Sequence, residues 1–445
     1  NISPYGNRVY ARFPFLIKEI TMKYCIVLIV IFASTLQTQA QLENNNWKFG
    51  LFGTTCTFLP TFTIRPFDHK QQYFEQCITL SDPVHSRLMF YGGAEFGSNK
   101  WTVNLYEPNQ RKLNHKILYG DNSSAQGLII VPYPRHCNKF LIVSILAANV
   151  TYNNFNNDKG KIKFNIIDYS LVRYPEKQSL LEPVNELCLA DNFTEGLAAT
   201  IHSNKQDYWI IACTDGANAG WYAIPITDNG IECHKSIFSS DKRYRPDVMN
   251  NISISPNSKY IENNKNLYVF DNSNGSIKHI LAIDTVKTKD GKSLKSSNMH
   301  KNLNCSEFSS NSKYLYYTIY YMDNNPLTQG YNIVQIDIEK AQRGEPSAIL
   351  LKYPFNKEVR NYSISLAPDS SIYFISGFDN LRFIMNRIKN PNLEGEQSLL
   401  EHKLMLIDTN QVKKEERINL TVKGVQFPNF SHHVFDPNYK RIPTL

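Results

Sequence analysis

The chain has 445 residues, 42% of them hydrophobic and 20% charged, and 48 Lys and Arg against 40 Asp and Glu give a formal net charge of +8. The basic residues are scattered, and the densest run, KTKDGKSLK at Lys287–Lys295, is typical of a solvated loop, so no nucleic-acid partner is expected. Tyrosine (26 residues) and phenylalanine (25 residues) are abundant and favour strands. Helical periodicity is almost absent, which excludes the mainly helical and the α/β fold classes. The best helical signal, at Leu327–Pro346, reads better as a strand followed by a loop.

The N-terminal region has the pattern of an export signal. MKYCIVLIVIFASTLQTQAQ, starting at Met22, combines a basic start, an apolar core and small residues before Ala40. This predicts a secretory signal peptide over residues 22–40, with cleavage after Ala40. The apolar core is too short for a transmembrane helix, although a signal anchor is the alternative. We expect translation to begin at Met22 and residues 1–21 to be an upstream extension of the gene model.

A phrase that recurs along the chain predicts the fold. It reads SISPNSKYI at Ser253–Ile261, EFSSNSKYL at Glu307–Leu315 and SLAPDSSIYFI at Ser365–Ile375. Each copy has an alternating apolar run, a polar turn and an aromatic or β-branched run, which is the pattern of a β-hairpin. Proline in the turn (Pro256, Pro368) pre-sets φ, and the Asn or Asp that follows it tolerates the left-handed conformation.

Weaker copies upstream extend this repeat into a periodic array. The spacing between first turn residues is 53, 69, 52, 54 and 58 residues along the series Ser81, Pro134, Ser203, Ser255, Ser309, Ala367. Two more strand-like runs fit between successive copies, such as Leu267–Phe270 and Ser276–Ile283, so each unit holds four strands. The predicted fold is all-β, a β-propeller of seven four-stranded blades over residues 41–430, followed by a tail at 431–445. N-terminal strands and the late runs His402–Thr409 and Ile418–Val422 are expected to close the ring. Six or eight blades, or an open β-sandwich, are the alternatives.

The cysteines give a weaker signal. Of the eight cysteines, Cys25 lies in the signal peptide, and the remaining odd number forms no CxxC motif, so no zinc site is expected. Cys213 and Cys233 flank the inner strands of one predicted blade. A disulfide between them is one interpretation, and buried apolar thiols are the other.

A set of motifs in a fixed order carries a resemblance to a known family. They are WKFG at Trp47–Gly50, EQCITLSDPVHSRLMFYGG at Glu75–Gly93, SSAQGLIIVPYP at Ser123–Pro134, EGLAATIHSNKQDYWIIAC at Glu195–Cys213, the three repeated phrases, LRFI at Leu381–Ile384, PNLEG at Pro391–Gly395 and FPNF at Phe427–Phe430. With this order the chain resembles the WD-repeat-like β-propeller region of secreted Bacteroidetes surface proteins of the gliding-motility or type IX secretion-associated type. The resemblance implies an exported protein, extracellular or on the outer cell surface, with the periplasm as the alternative.

The resemblance carries no catalytic motif, and a search of the sequence found none. There is no GxSxG nucleophile elbow, no HExxH and no phosphate-binding loop, so no catalytic residue, metal or cofactor is predicted. The candidate ligand-binding residues are His202, at the end of an inner strand, and Tyr208 in the same blade. Trp221 follows the loop DGANAG, and we expect it to be exposed and able to stack on a sugar or a peptide.

These observations predict a non-enzymatic, exported β-propeller that acts as a binding or scaffolding module at the cell surface. Its ligand would be a protein or a glycan held on one propeller face, and the mature chain would have no transmembrane segment. The alternative is a propeller enzyme, a polysaccharide lyase or glycosidase, with its site at the central channel. A third interpretation, a eukaryotic secreted propeller with glycans, would require occupied Asn-x-Ser/Thr sites.

Overall fold

The structure is a computed structural model, and it describes residues 43–50, 53–65, 73–82, 85–95, 102–113, 118–119, 126–136, 138–146, 160–169, 181–184, 192–216, 219–241, 251–294, 305–321, 330–351, 360–379 and 382–408. The predicted signal peptide, the upstream extension and the C-terminal tail lie outside these ranges. Within the described ranges, no helix is long and apolar enough to cross a membrane.

Seven antiparallel sheets follow one another along the chain, and each forms one blade. The first blade contains β1 (Asn46–Phe49), β2 (Thr54–Thr57) and β3 (Thr63–Arg65), the second contains β4 (Tyr73–Ser81), β5 (Leu88–Glu95), β6 (Thr102–Tyr106) and β7 (Leu118–Tyr119), and the third contains β8 (Leu128–Pro132), β9 (Lys139–Leu146), β10 (Lys161–Asp168) and β11 (Leu181–Val184). The fourth blade contains β12 (Phe193–Ile201), β13 (Tyr208–Thr214), β14 (Gly220–Thr227), β15 (Gly230–Ile231) and β16 (Ile237–Ser240), and the fifth contains β17 (Ile252–Ile254), β18 (Tyr260–Asn263), β19 (Asn266–Asp271) and β20 (Ser276–Ala282). The sixth blade contains β21 (Ser306–Phe308), β22 (Tyr314–Tyr321), β23 (Gly330–Asp337) and β24 (Ala348–Leu351), and the seventh contains β25 (Arg360–Leu366), β26 (Ile372–Asp379), β27 (Arg382–Ile388) and β28 (Leu400–Asp408).

The blades are arranged in a closed ring. The first strands of blades two to seven (β4, β8, β12, β17, β21, β25) contact one another in sequence, and β1 contacts β4. The ring closes where Trp47 and Phe58 of the first blade pack on Tyr373 of the seventh, with ring centroids 6.3 and 5.2 Å from the Tyr373 ring. The prediction of an all-β, seven-bladed propeller is therefore confirmed. The strand number varies, because the fourth sheet holds five strands and the described part of the first holds three.

The first blade is joined to the second at the end of β4. The backbone N–H of Asn46, at the start of β1, donates to Ser81 Oγ at the end of β4 (3.3 Å). The C-terminal run Ile418–Val422, predicted to help close the ring, lies outside the described residues. The other late run, at His402–Thr409, falls largely in β28, where it pairs with β27 of the seventh blade.

The burial of each strand follows its place in a blade. β12 and β13 are buried at every position, because neighbouring blades cover both faces of the sheet. At the rim, β16 leaves Ile237 and Phe238 exposed. This explains why the inner strands read as continuous apolar runs in the sequence.

The segment with the best helical signal was predicted to be a strand followed by a loop. It does form β23, but a short helix α1 (Ile338–Gln342) follows directly. Asp337 caps this helix, because its side chain accepts a hydrogen bond from the backbone N–H of Lys340 (3.0 Å).

Candidate functional site

The turns that follow the inner strands lie together on one side of the ring, which we call the turn face. In the fifth blade, Ser255 Oγ accepts from the backbone N–H of Tyr260 (2.8 Å) and donates to Asn257 Oδ1 (2.7 Å). The sixth blade repeats this geometry, with Ser309 Oγ accepting from Tyr314 N (2.9 Å) and donating to Asn311 Oδ1 (2.7 Å). The recurring serine and asparagine therefore lock each turn from within.

The left-handed position in these turns falls on a serine. Ser258, Ser312 and Ser370 have φ of 60°, 59° and 60°, whereas Asn257 and Asp369 do not adopt a positive φ. Asn and Asp tolerate this conformation but do not adopt it here. Their side-chain oxygens instead accept backbone N–H groups within the turn, a role that needs an acceptor rather than a left-handed backbone.

Hydrogen bonds also join each turn to the next blade. Thr200 Oγ1 of the fourth blade lies 2.5 Å from Ser258 Oγ of the fifth. The backbone N–H of Asn257 donates to Ser312 Oγ of the sixth blade (3.0 Å). The backbone N–H of Asn311 donates in turn to Asn392 Oδ1 of the seventh (3.0 Å). The turn face is thus held as one hydrogen-bonded belt from the fourth blade to the seventh.

The third and fourth blades are linked at the same face by charged side chains. Arg135 Nη1 lies 2.7 Å from Asp228 Oδ2, and Arg135 Nη2 donates to Gln206 Oε1 (3.2 Å). The Tyr133 and His136 rings meet edge to face with centroids 5.3 Å apart. Burial, with the nearby Asp228 carboxylate, raises the pKa of Tyr133. A guanidinium, an imidazole and a phenol therefore share one turn at the surface of the ring.

His202 lies at this face, directly after β12. Its Nδ1 accepts a hydrogen bond from the backbone N–H of Asn204 (3.0 Å), and its ring stacks on Trp209 with centroids 5.4 Å apart. The ring is half-buried. This orients the imidazole on a rigid support and fixes Nδ1 as an acceptor, so Nε2 carries the proton in the neutral form.

The other two candidate residues are buried. Tyr208 is 5% exposed and belongs to the largest apolar cluster of the ring. Trp221 is 1% exposed, packs edge to face on Tyr268 at 5.0 Å, and is part of the core between the fourth and fifth blades. The expectation that Trp221 is exposed was wrong, because the DGANAG loop leads directly into an interior strand. A role in ligand binding for the three residues stays a prediction, and His202 is the most accessible of them.

One half-buried and one buried polar side chain that link blades were not predicted from the sequence. Gln126 Oε1 of the third blade accepts from the backbone N–H of Ile252 in the fifth (2.7 Å). Glu307 accepts through Oε1 from Phe308 N (2.8 Å) and through Oε2 from Leu366 N of the seventh blade (3.0 Å). They satisfy backbone donors at inner-strand edges. Nothing in their local sequence distinguishes them from ordinary surface residues.

A third unpredicted group lies between the fifth and sixth blades. Glu262 is 2% exposed, and burial raises its pKa to about 7. Its Oε2 accepts from the hydroxyl of Ser306, and its Oε1 accepts from the backbone N–H of Lys265 (3.0 Å). The glutamate that follows Tyr260 and Ile261 in β18 is the sequence signal that could have indicated it.

The cysteines correct another expectation. Cys213 is a buried thiol outside any disulfide, as are Cys56, Cys77 and Cys305, whereas Cys233 is disulfide-bonded. The interpretation that Cys213 pairs with Cys233 was therefore wrong, since Cys213 lies inside β13 and faces the core. In the described part of the chain, no group of three or more His, Cys, Asp or Glu side chains could hold a metal ion.

Comparisons with known proteins give the following. No protein-family model matches this chain, and no curated protein matches it. A protein from Bacteroides uniformis described as a 6-phosphogluconolactonase is 15% identical, with a TM-score of 0.46, covering 82% of this chain and 97% of that one. The extracellular domain of a hybrid two-component system from B. thetaiotaomicron is 10% identical, with a TM-score of 0.42, covering 83% and 36%. A polysaccharide lyase described as an ulvan lyase is 9% identical, with a TM-score of 0.41, covering 83% and 88%.

Proposed function

We propose that this protein is a non-enzymatic, exported β-propeller that binds a protein or glycan ligand through its turn face, as a binding or scaffolding module. The observation that carries this proposal is the hydrogen-bonded belt of turns described above. A surface whose loops are already fixed loses little conformational entropy when it binds, so its contacts contribute more fully to affinity. Loops held on a rigid scaffold are where propellers and other β-folds place recognition residues.

Export is supported by two separate features. The run from Met22 to Ala40 has the charge and hydropathy pattern of a secretory signal. The disulfide at Cys233 fits an oxidising compartment, where such bonds persist. Together with the order of motifs from Trp47 to Phe430, these features favour a secreted surface protein of the Bacteroidetes type, at the outer cell surface, extracellular or in the periplasm.

Within the turn face, we place the ligand at the turns of the third and fourth blades. This region combines groups that can make directional contacts, namely Arg135, His136 and His202, with the partly buried ring of Tyr133, which contacts that of His136. The Arg135–Asp228 and Arg135–Gln206 contacts hold the two turns in a fixed relation. Rings with a polar edge and a guanidinium are common anchors in protein and glycan recognition.

The test is a binding measurement on the purified, exported chain. Defined oligosaccharides and individual purified envelope proteins are titrated by calorimetry, and His202→Ala is compared with His234→Ala. His234 is an exposed histidine of the same blade on its outer rim, in the 3₁₀ turn Cys233–Lys235. We expect H202A to weaken binding at least about tenfold and H234A to leave it unchanged. Equal affinities for the two variants would contradict the location of the site.

A second candidate function has one observation in its favour. Tyr133, Arg135 and His136 place a phenol, a guanidinium and an imidazole in one turn, and this is the set that a polysaccharide lyase needs to neutralise a uronic acid and move its α-proton. In that case, incubation with uronic-acid polymers would release unsaturated ends that absorb in the ultraviolet. Tyr133→Phe and His136→Ala would each abolish the release, whereas a purely binding protein would release none.

A further inference from the structure

The contact between the fifth and sixth blades depends on a buried carboxyl group. Glu262, on β18, is covered by the sixth blade and accepts the hydroxyl hydrogen of Ser306 at the start of β21. Beside it, the hydroxyl of Ser253 on β17 donates to the carbonyl oxygen of Ser306 (2.6 Å). Two serine hydroxyls thus link the fifth and sixth blades. Ser306 donates to the Glu262 carboxyl group, and Ser253 donates to the carbonyl oxygen of Ser306.

Among the described residues, little compensating charge lies near Glu262. Lys265, in the turn after β18, offers its backbone N–H and a cation that favours the ionised form. From the sixth blade, Cys305 and Tyr317 face the carboxyl, and Asp284 in the 3₁₀ turn after β20 faces Tyr317. Both the thiol and the phenol have raised pKa values because of burial, so they are neutral near pH 7.

An unsatisfied hydroxyl marks the same place. Tyr317 is fully buried, and within the described residues its hydroxyl has no hydrogen-bond partner. A buried polar group without a partner costs about 1–3 kcal/mol. The junction therefore already holds one unsatisfied polar group, and the Tyr317 hydroxyl donates no hydrogen bond that would stabilise a negative charge on Glu262.

We propose that protonation of Glu262 controls how tightly the fifth and sixth blades of the ring hold together. With the carboxyl protonated, the junction buries a neutral group. With it ionised, the junction buries a charge that Lys265 and the two hydrogen bonds compensate in part. The strength of the contact between the fifth and sixth blades then changes with pH. This pH dependence does not depend on which ligand the turn face binds.

The sign and size of the effect follow from linkage. The pKa of Glu262 is about 7 in the folded protein, compared with about 4.3 for an exposed glutamate. Because the folded value is raised, the junction is strongest below pH about 4.3, loses strength as pH rises between the two values, and changes no further above pH about 7. Between pH 5.5 and 8, local opening should become roughly thirtyfold more frequent.

Hydrogen exchange measured by mass spectrometry on the full exported chain tests this proposal. After correction for intrinsic exchange rates, protection of peptides covering β17, β21 and β22 should fall roughly thirtyfold between pH 5.5 and pH 8. Peptides covering β8, an apolar inner strand of the third blade, serve as the internal control and should show no such fall. In Glu262→Gln, which cannot ionise, the fall at β17, β21 and β22 should disappear.

Two results would overturn the proposal, namely no pH-dependent loss of protection at this junction in the wild type, or an unchanged loss in E262Q. Should E262Q fold poorly, Ser306→Ala provides a second test. It removes the hydroxyl that donates to the carboxylate, and it should move the midpoint of the protection loss to higher pH. A midpoint that stays in place or moves to lower pH would contradict the assigned role of Ser306.

Discussion

The closure of the ring between the seventh and first blades rests on Arg387, and we expect Arg387→Ala to destabilise the whole propeller. Arg387 Nε donates to Glu401 Oε2 (2.8 Å), Nη2 donates to the same oxygen, and Nη1 donates to the hydroxyl of Tyr373 (3.3 Å). Its guanidinium also lies 5.9 Å from the ring centroids of Phe62, in the first blade, and Tyr373. One side chain thus contacts both sides of the seam.

The expected loss can be worked from these contacts. The Arg387 side chain is 18% exposed, and Glu401 and Asp369 beside it are 27% and 18% exposed. Hydrogen bonds to charged groups contribute about 1.5–3 kcal/mol each, and removing one partner of a fully buried ion pair costs about 3–5 kcal/mol. Because the carboxylates retain some contact with water, we expect the free energy of unfolding to fall by about 2–4 kcal/mol.

Equilibrium urea unfolding, followed by tryptophan fluorescence, measures this loss, and Arg343→Ala is the matched control. Arg343 also makes a two-pronged contact with a carboxylate, Glu345, at 2.6 and 3.2 Å, but both side chains are about half exposed. Removing an exposed pair should leave the unfolding midpoint unchanged within error. If R387A and R343A behaved alike, the argument that Arg387 holds the seam by buried contacts would be refuted.

Three further predictions concern packing and turns. Trp221→Ala should lower the free energy of unfolding by about 3–5 kcal/mol, because the ring is 1% exposed in the core between blades, and a loss below about 1 kcal/mol in urea unfolding would contradict this burial. Gly275→Ala should cost about 1–3 kcal/mol, since φ is +79° and the new Cβ would lie 3.0 Å from the Trp209 ring; a neutral change in thermal midpoint would show that the turn can relax. Ser309→Ala removes the oxygen that accepts from the backbone N–H of Tyr314 at 2.9 Å, so the free energy of unfolding should fall by about 1–2 kcal/mol and hydrogen exchange at the Tyr314 amide should increase. Unchanged exchange at that amide would argue against the role of Ser309 in locking the turn.

The fold could be predicted because the sequence pattern repeats along the chain. The turn phrase recurs about every fifty to sixty residues for most copies, and a repeat of that length with four strands is typical of a propeller blade. The strands predicted between copies, such as those containing Leu267–Phe270 and Ser276–Ile283, are present as β19 and β20. Here local pattern and long-range packing agree, because each blade must bury both of its faces.

The site could not be predicted to the same depth, for a physical reason. Trp221 follows a polar loop, which suggested exposure, yet its neighbour in space is Tyr268 of the next blade, 47 residues later in the chain. Glu262 likewise looks like a surface residue until the sixth blade covers it. What decides both cases is contact between blades, and the spacing of a repeat does not say which residues face the next unit. The same limit explains the wrong pairing proposed for Cys213.

The link between the fifth and sixth blades has a consequence for how such rings change size. In this link the Asn257 amide donates to Ser312 of the sixth blade, and Ser312 occupies the same turn position as Ser258 in the fifth. A duplicated copy of the fifth blade, inserted after the original, would therefore present a serine hydroxyl where the preceding Asn257 amide needs one. The sixth blade, by contrast, donates to Asn392 in a different loop of the seventh. Unit duplication would thus conserve the belt between the fifth and sixth blades, whereas the seventh blade is a fixed partner that a copied unit could not replace.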